Sequence, residues 1–189
     1  MTYYERNLPH WHPRGMAVFL TWRLHGSLPA GFSVACGKEA AKSSGERFRR
    51  VDRQLDGARS GPLWLSDPRV AECVVRAIRR GEAELQQYIL HAYVVMANHV
   101  HLLVKPLVPV FRITQGLKGV TARYANQILG RTGAPLWQDE SFDRWIRDEA
   151  EFVRVGRYIE GNPVAAGLVR SPEEWPWSSA NQNRETNHS

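Results

Sequence analysis

The chain has 189 residues, 43% of them hydrophobic and 23% charged, which provides for a sizeable core and excludes wholesale disorder. No run approaches the ~18 apolar residues of a membrane span. The N-terminal MTYYERNLPHWHPRG lacks a secretory pattern, and Cys36 and Cys73 make neither a disulfide framework nor a zinc knuckle, so no membrane association and a cytoplasmic location are expected. The net charge of +6, with 21 of 25 basic residues arginine, suits a polyanionic partner, because a planar guanidinium fork fits phosphates and base edges, although genome composition alone would give the same richness.

Residues 1–14 read as an ordered arm or strand lead-in, and Gly15–Leu24 as a first strand. From Gly26 to Asp67 the pattern degrades, with glycines at 31, 37, 45, 57 and 61, so a surface excursion is expected there, containing a short basic helix over Glu46–Leu55. Ser66-Asp67-Pro68 is a helix start, a capping residue followed by a proline at the first helical position. Val70, Val74, Ala77 and Ile78 then recur at helical spacing to about Glu84. Tyr88–Met96 and His99–Lys105 are strand-like runs joined by a tight turn at Ala97-Asn98, an antiparallel hairpin.

A second helix is expected over Phe111–Leu129, ended by Gly130–Gly133, and a further strand within Leu136–Ile146. A third helix should span Asp148–Gly161, with Phe152, Val155 and Ile159 on one face and Pro163 as its stop. The segment around Trp175-Pro176-Trp177-Ser178-Ser179 reads as a packed extension. This order predicts an α+β fold, a ferredoxin-like antiparallel sheet with helices packed on one face. Residues 1–180 are expected to form one domain with an irregular insertion at 27–66, and 181–189 a polar, disordered tail.

His99-Val100-His101 is the main candidate for chemistry. On a strand, residues i and i+2 share a face, so both imidazoles project together, a bidentate start for a divalent metal. Two structural histidines would show the same spacing. The third helix adds Tyr158 and Asn162, four apart and so on one helical face: a potential nucleophile and a potential ligand, or a packing tyrosine and a helix-terminal asparagine. Tyr124 is the rival nucleophile, although it falls on the second helix's apolar stripe with Leu117, Val120 and Ile128. Lys118, Arg123, Arg144, Arg147, Arg154 and Arg157 are candidates for phosphate contacts or are solvated surface charges. Most of the tryptophans read as core, and His10, His12, His25, His91 and His188 have no second ligand at useful spacing.

These residues resemble a known family. Val94-Val95-Met96-Ala97-Asn98 followed by His99-Val100-His101 is similar to the histidine–hydrophobic–histidine (HUH) motif of single-tyrosine, IS200-like transposases. Leu136-Trp137-Gln138, Arg147-Asp148-Glu149 and Tyr158-Ile159-Glu160-Gly161-Asn162-Pro163-Val164 resemble the REP-associated tyrosine transposase branch, as do Leu8-Pro9-His10-Trp11 and the segment from Trp175 to Ser179. Ala97 stands where the family usually carries proline, a departure expected to alter the stiffness of the turn.

The resemblance implies a ferredoxin-like HUH domain that cuts and rejoins single-stranded DNA at palindromic hairpin repeats through a 5′-phosphotyrosine. Tyr158 would be the nucleophile, and His99, His101 and Asn162 the ligands of Mg2+ or Mn2+. A monomer is expected, nucleoid-associated when bound to DNA, with no small-molecule cofactor. The alternatives are a non-catalytic single-stranded nucleic-acid-binding protein and a metal-dependent hydrolase of small substrates.

Overall fold

The computed structural model describes residues 2–5, 9–12, 15–28, 51–52, 54–55 and 61–181. Residues 29–50 (with the beginning of the expected helix over 46–55), 53 and 56–60 of the insertion and the tail beyond 181 lie outside the described residues. Strands β1 (Thr2–Glu5) and β2 (Pro9–His12) pair as a separate antiparallel ribbon. The main unit then runs β3 (Val18–Arg23), α1 (Pro68–Ala83), β4 (Tyr88–Val95), β5 (His99–Pro106), α2 (Val110–Ile128) and β6 (Phe142–Trp145). Helix α3 (Glu149–Ala165) follows. The sheet order is β4-β5-β3-β6, antiparallel throughout, the split βαβ arrangement of a ferredoxin-like fold.

Alternation along the strands divides the core between two faces. Val18, Leu20 and Trp22 of β3 and Val100, Leu102 and Val104 of β5 face α1 and α2, against Val70, Val74, Ile78, Ile113 and Leu117. Phe19 and Leu103, with Ala92 and Val94 of β4, face the other way, against Val155 and Ile159 of α3. The expected packing of helices on one face therefore holds for α1 and α2, while α3 covers the opposite face. That opposite face carries His99 and His101, in register with Arg23 and Thr21 of β3.

The helix starts follow the sequence signals. Asp67 caps α1, its side chain accepting from the Arg69 amide at 2.9 Å, with Pro68 behind it. Asp148 caps α3 in the same way, accepting from the Glu151 amide at 2.7 Å. The end of α3 differs from expectation, because Pro163 lies inside the helix. Proline removes the bond to the Ile159 carbonyl, yet Asn162 and Pro163 are both buried, and that packing carries the helix a further turn. The stop is Gly167 at φ +70°: the Leu168 amide returns to the Pro163 carbonyl and that of Gly167 to Val164, each at 2.9 Å.

Where α1 meets β4, the Tyr88 hydroxyl donates to the Ile78 carbonyl at 2.6 Å, and its ring lies directly over Gly81. A methyl group there would drive into the phenol, which is 1% exposed and has nowhere to move. Gly81→Ala is expected to destabilise the protein by about 1–3 kcal/mol despite alanine's better helix propensity, measurable as a lowered urea midpoint.

The packed extension closes the outer edge of β4. The Val95 amide donates to the Trp177 carbonyl at 2.9 Å, the Tyr93 amide to Ser179 Oγ at 3.1 Å, and Trp175 Nε1 to the Val95 carbonyl at 3.0 Å. Ser179 Oγ also donates to Glu160 Oε1 at 2.8 Å, which ties the same segment to α3.

Candidate active site

The turn between β4 and β5 positions the first imidazole. The Met96 amide donates to the His99 carbonyl at 2.9 Å, closing the turn around Ala97 and Asn98. Asn98 Nδ2 donates to the Leu55 carbonyl at 3.0 Å, which leaves Asn98 Oδ1 to accept from His99 Nδ1 at 2.7 Å. With its proton on Nδ1, His99 presents the Nε2 lone pair to the site. His101 Nδ1 is held by Thr21 Oγ1 at 2.8 Å, and a hydroxyl can serve either tautomer. The two Nε2 atoms converge to 3.1 Å, with both rings fully buried.

A third group, absent from the sequence expectations, completes the cluster. Asp52 Oδ1 lies 3.1 Å from His101 Nε2 and 3.9 Å from His99 Nε2, and Asp52 is itself buried. The 27–66 insertion is thus not wholly a surface excursion: its helical residues 51–52 and 54–55 bring Asp52 and Leu55 into the interior. The available signal was an acid flanked by arginines at 50 and 53, beside Val51 and Leu55, an i, i+4 apolar pair.

Burial, the neighbouring His101 and, in opposition, Asp52 act together on His99, whose pKa is pushed down to about 3. Burial raises the Asp52 carboxyl, but His101 and then His99 more than offset it, so its pKa falls below the ordinary value. The folded protein therefore holds a neutral His99 and an ionised Asp52 at neutral pH. Because unfolded histidine takes its proton near 6.5 and the folded one refuses it until about 3, acid favours the unfolded chain. The stability of the metal-free protein is expected to fall between those limits by up to about 1.4 kcal/mol per pH unit, read from urea midpoints at successive pH values.

The donor set fits a divalent ion. Two imidazoles with their outer nitrogens anchored, and a carboxylate, offer ligand atoms all within 4.8 Å of one another. Asn162 is 1% exposed, yet neither its Oδ1 nor its Nδ2 has a hydrogen-bond partner among the described residues.

The structure brings Tyr158 to this cluster: its ring centroid is 5.7 Å from that of His101 and 6.2 Å from that of Phe19, and the residue is 37% exposed. Asn162 follows one turn along the same helix. Tyr124 is 50% exposed on α2, across the sheet from the histidines, so the expected apolar packing is only partial and the sheet separates this tyrosine from the site.

The six basic candidates do not gather into one patch. Lys118 and Arg123 belong to α2, on the far face, and Lys118 Nζ donates to the Gln138 and Asp139 carbonyls at 2.6 and 2.7 Å. Arg144 and Arg147 both engage the buried Glu151, at 2.8 and 3.0 Å, bracing the start of α3 against β6. Arg154 and Arg157 are exposed on α3, and Arg154 lies one turn before Tyr158.

Residues 66–162 match the family model for "Transposase IS200 like". The chain belongs to the IS200-like transposase family. Transposases are DNA-cleaving enzymes, and His99, His101, Tyr158 and Asn162 lie within the matched span, with Asp52 outside it. Among solved structures, the transposase resembles a REP-associated tyrosine transposase bound to a REP hairpin, at 16% identity and a TM-score of 0.58, covering 99% of this chain and 87% of that one. A provisionally assigned transposase from Deinococcus radiodurans aligns at 18% identity and a TM-score of 0.44, over 83% of this chain and 98% of that one. At 16% identity the first of these likenesses is one of fold. No curated protein matches the chain. No helix among the described residues is long and apolar enough to cross a membrane.

Proposed function

We propose that this transposase cuts and rejoins single-stranded DNA at palindromic hairpin repeats, as a member of the REP-associated branch, with Tyr158 as nucleophile. The observation that carries the reading is the meeting of the Tyr158 ring with the buried His99–His101 pair. The structural neighbour captured with a REP hairpin supports the substrate class.

In the reaction, the Tyr158 hydroxyl loses its proton and its oxygen attacks the scissile phosphorus in line. The P–O3′ bond breaks and the 3′-oxygen takes up a proton, leaving a 5′-phosphotyrosine and a free 3′-hydroxyl. Attack by a 3′-hydroxyl reverses the step without an external energy source, since one phosphodiester replaces another. Phenol ionises near pH ~10, so Tyr158 needs positive charge nearby, and Arg154 is placed one turn away to supply some of it. His99, His101 and Asp52, with Asn162 from α3, would hold Mg2+ or Mn2+. A cation bound there supplies Lewis acidity to the scissile phosphate and the leaving oxygen. Arg154 and Arg157 hold the DNA backbone beside the tyrosine.

The helix carrying Tyr158 packs on the sheet of its own chain, which supports a monomer, and DNA as the substrate supports work in the cytoplasm at the nucleoid. A ferredoxin-like sheet can also serve as an open platform for unpaired bases. Here α3 covers that face, which weighs against a purely binding role. The deciding experiment incubates the protein with labelled single-stranded hairpin DNA and Mn2+. A protein–DNA band surviving denaturation is expected, whereas retention of DNA without such a band would replace this reading with the non-catalytic one.

A further inference from the structure

We propose that the Trp175–Ser179 segment sets the roll of α3 about its own axis, with Ser179 and Glu160 as positioning residues for the Tyr158 phenol. The inference rests on the reading of Tyr158 as nucleophile and extends it to residues outside the site. Ile159 is fully buried against the sheet, and its neighbours in sequence, Tyr158 and Glu160, project from the helix about 100° to either side of it. The phenol therefore leans towards His101, and the carboxylate leans the other way, towards the edge of β4.

The hold of α3 on the sheet is largely apolar. Val155 and Ile159 pack against Phe19, Ala92 and Val94, and such contacts tolerate rotation because they have no preferred direction. Pro163 also removes the hydrogen bond to the Ile159 carbonyl, so the turn between Tyr158 and Asn162 is short of an internal restraint. Ser179 supplies a directional one. Its hydroxyl accepts from the Tyr93 amide at 3.1 Å and donates its single proton to Glu160 Oε1 at 2.8 Å. Ser179 is itself fixed, because Trp175 Nε1 and the Trp177 carbonyl both bond the backbone of Val95, and the neighbouring Ser178 is fully buried. Glu160 is thus pinned to β4 on the flank of α3 opposite the phenol. A roll of about 10° would carry a phenol oxygen ~8 Å from the helix axis through more than ~1 Å. An error of about 1 Å in the attacking atom can cost about a hundredfold in rate.

The test compares single-turnover adduct formation on labelled hairpin DNA with DNA affinity, using the full-length protein and Mn2+. Ser179→Ala and Glu160→Ala should each slow adduct formation about ten- to a hundredfold while leaving DNA affinity within about twofold. The double variant should be no slower than the slower single one, since both remove the same contact. Glu160→Gln keeps an acceptor oxygen and should retain most of the wild-type rate. Unchanged rates in the alanine variants, equal losses of rate and affinity, additive losses, or a Glu160→Gln as slow as Glu160→Ala would each overturn the proposal. A readout without DNA separates it from the nucleophile assignment. In protein labelled with 3-fluorotyrosine, the fluorine resonance missing from Tyr158→Phe should shift or broaden in both alanine variants and hold its place in Glu160→Gln. A resonance unmoved in the alanine variants would sink the proposal whatever the DNA reaction does. Adducts formed by Tyr158→Phe would remove the nucleophile assignment alone, and the fluorine shifts would still decide whether the segment sets the roll.

Discussion

Tyr158→Phe is expected to abolish covalent DNA adducts and to lower cleavage at least a thousandfold, on the order of the losses that follow removal of a nucleophile. The substitution deletes only the hydroxyl, and the ring keeps its packing against Phe19 and His101. Stability and DNA binding should therefore stay close to wild type. Tyr124→Phe, on the far side of the sheet, should leave cleavage unchanged. The measurement is a denaturing gel of labelled hairpin DNA across the two variants, and adduct formation by Tyr158→Phe would sink the assignment.

Loss of either imidazole is the second large effect. His99→Ala and His101→Ala should each reduce Mn2+ affinity by at least about a hundredfold and remove cleavage with it, since outer partners of metal ligands alone cost ten- to a hundredfold. The two variants should differ in stability. Of the two imidazoles, His101 lies nearer the buried Asp52 carboxylate, at 3.1 Å against 3.9 Å, so its removal strips Asp52 of the closer one. His101→Ala should cost about 1–3 kcal/mol on that account, beyond the loss from the cavity itself. Calorimetry with Mn2+ and urea melts of the metal-free proteins would check both statements. Mn2+ affinity that survives in either variant would remove the pair from the metal site.

Much of the architecture could be read from the chain because local rules governed it. Alternation placed His99 and His101 on one face of a strand, Asp67-Pro68 marked a helix start, and Tyr158 and Asn162 were set one turn apart by helical spacing alone. The errors came where distant parts of the chain decide the outcome. Pro163 resembles a stop in sequence, yet burial beside Asn162 carries the helix on to Gly167. Asp52 was missed because it joins His101 across nearly fifty positions and lies within Gly26–Asp67, where the sequence pattern degrades. Charge alone likewise could not tell the exposed Arg154 from Lys118, whose ammonium two carbonyl oxygens engage.

The extension that closes the edge of β4 bears on the order of synthesis. A ribosome releases the histidine hairpin, and then the helix bearing the tyrosine, before it releases Trp175–Ser179. Until that segment arrives, the amides of Tyr93 and Val95 lack the Trp177 and Ser179 partners they have in the finished fold, and Glu160 lacks its tether. A nascent chain stalled short of Trp175 would thus present a bare strand capable of pairing with another such chain. Arrival of this segment shields that strand and anchors the Tyr158 helix in a single event.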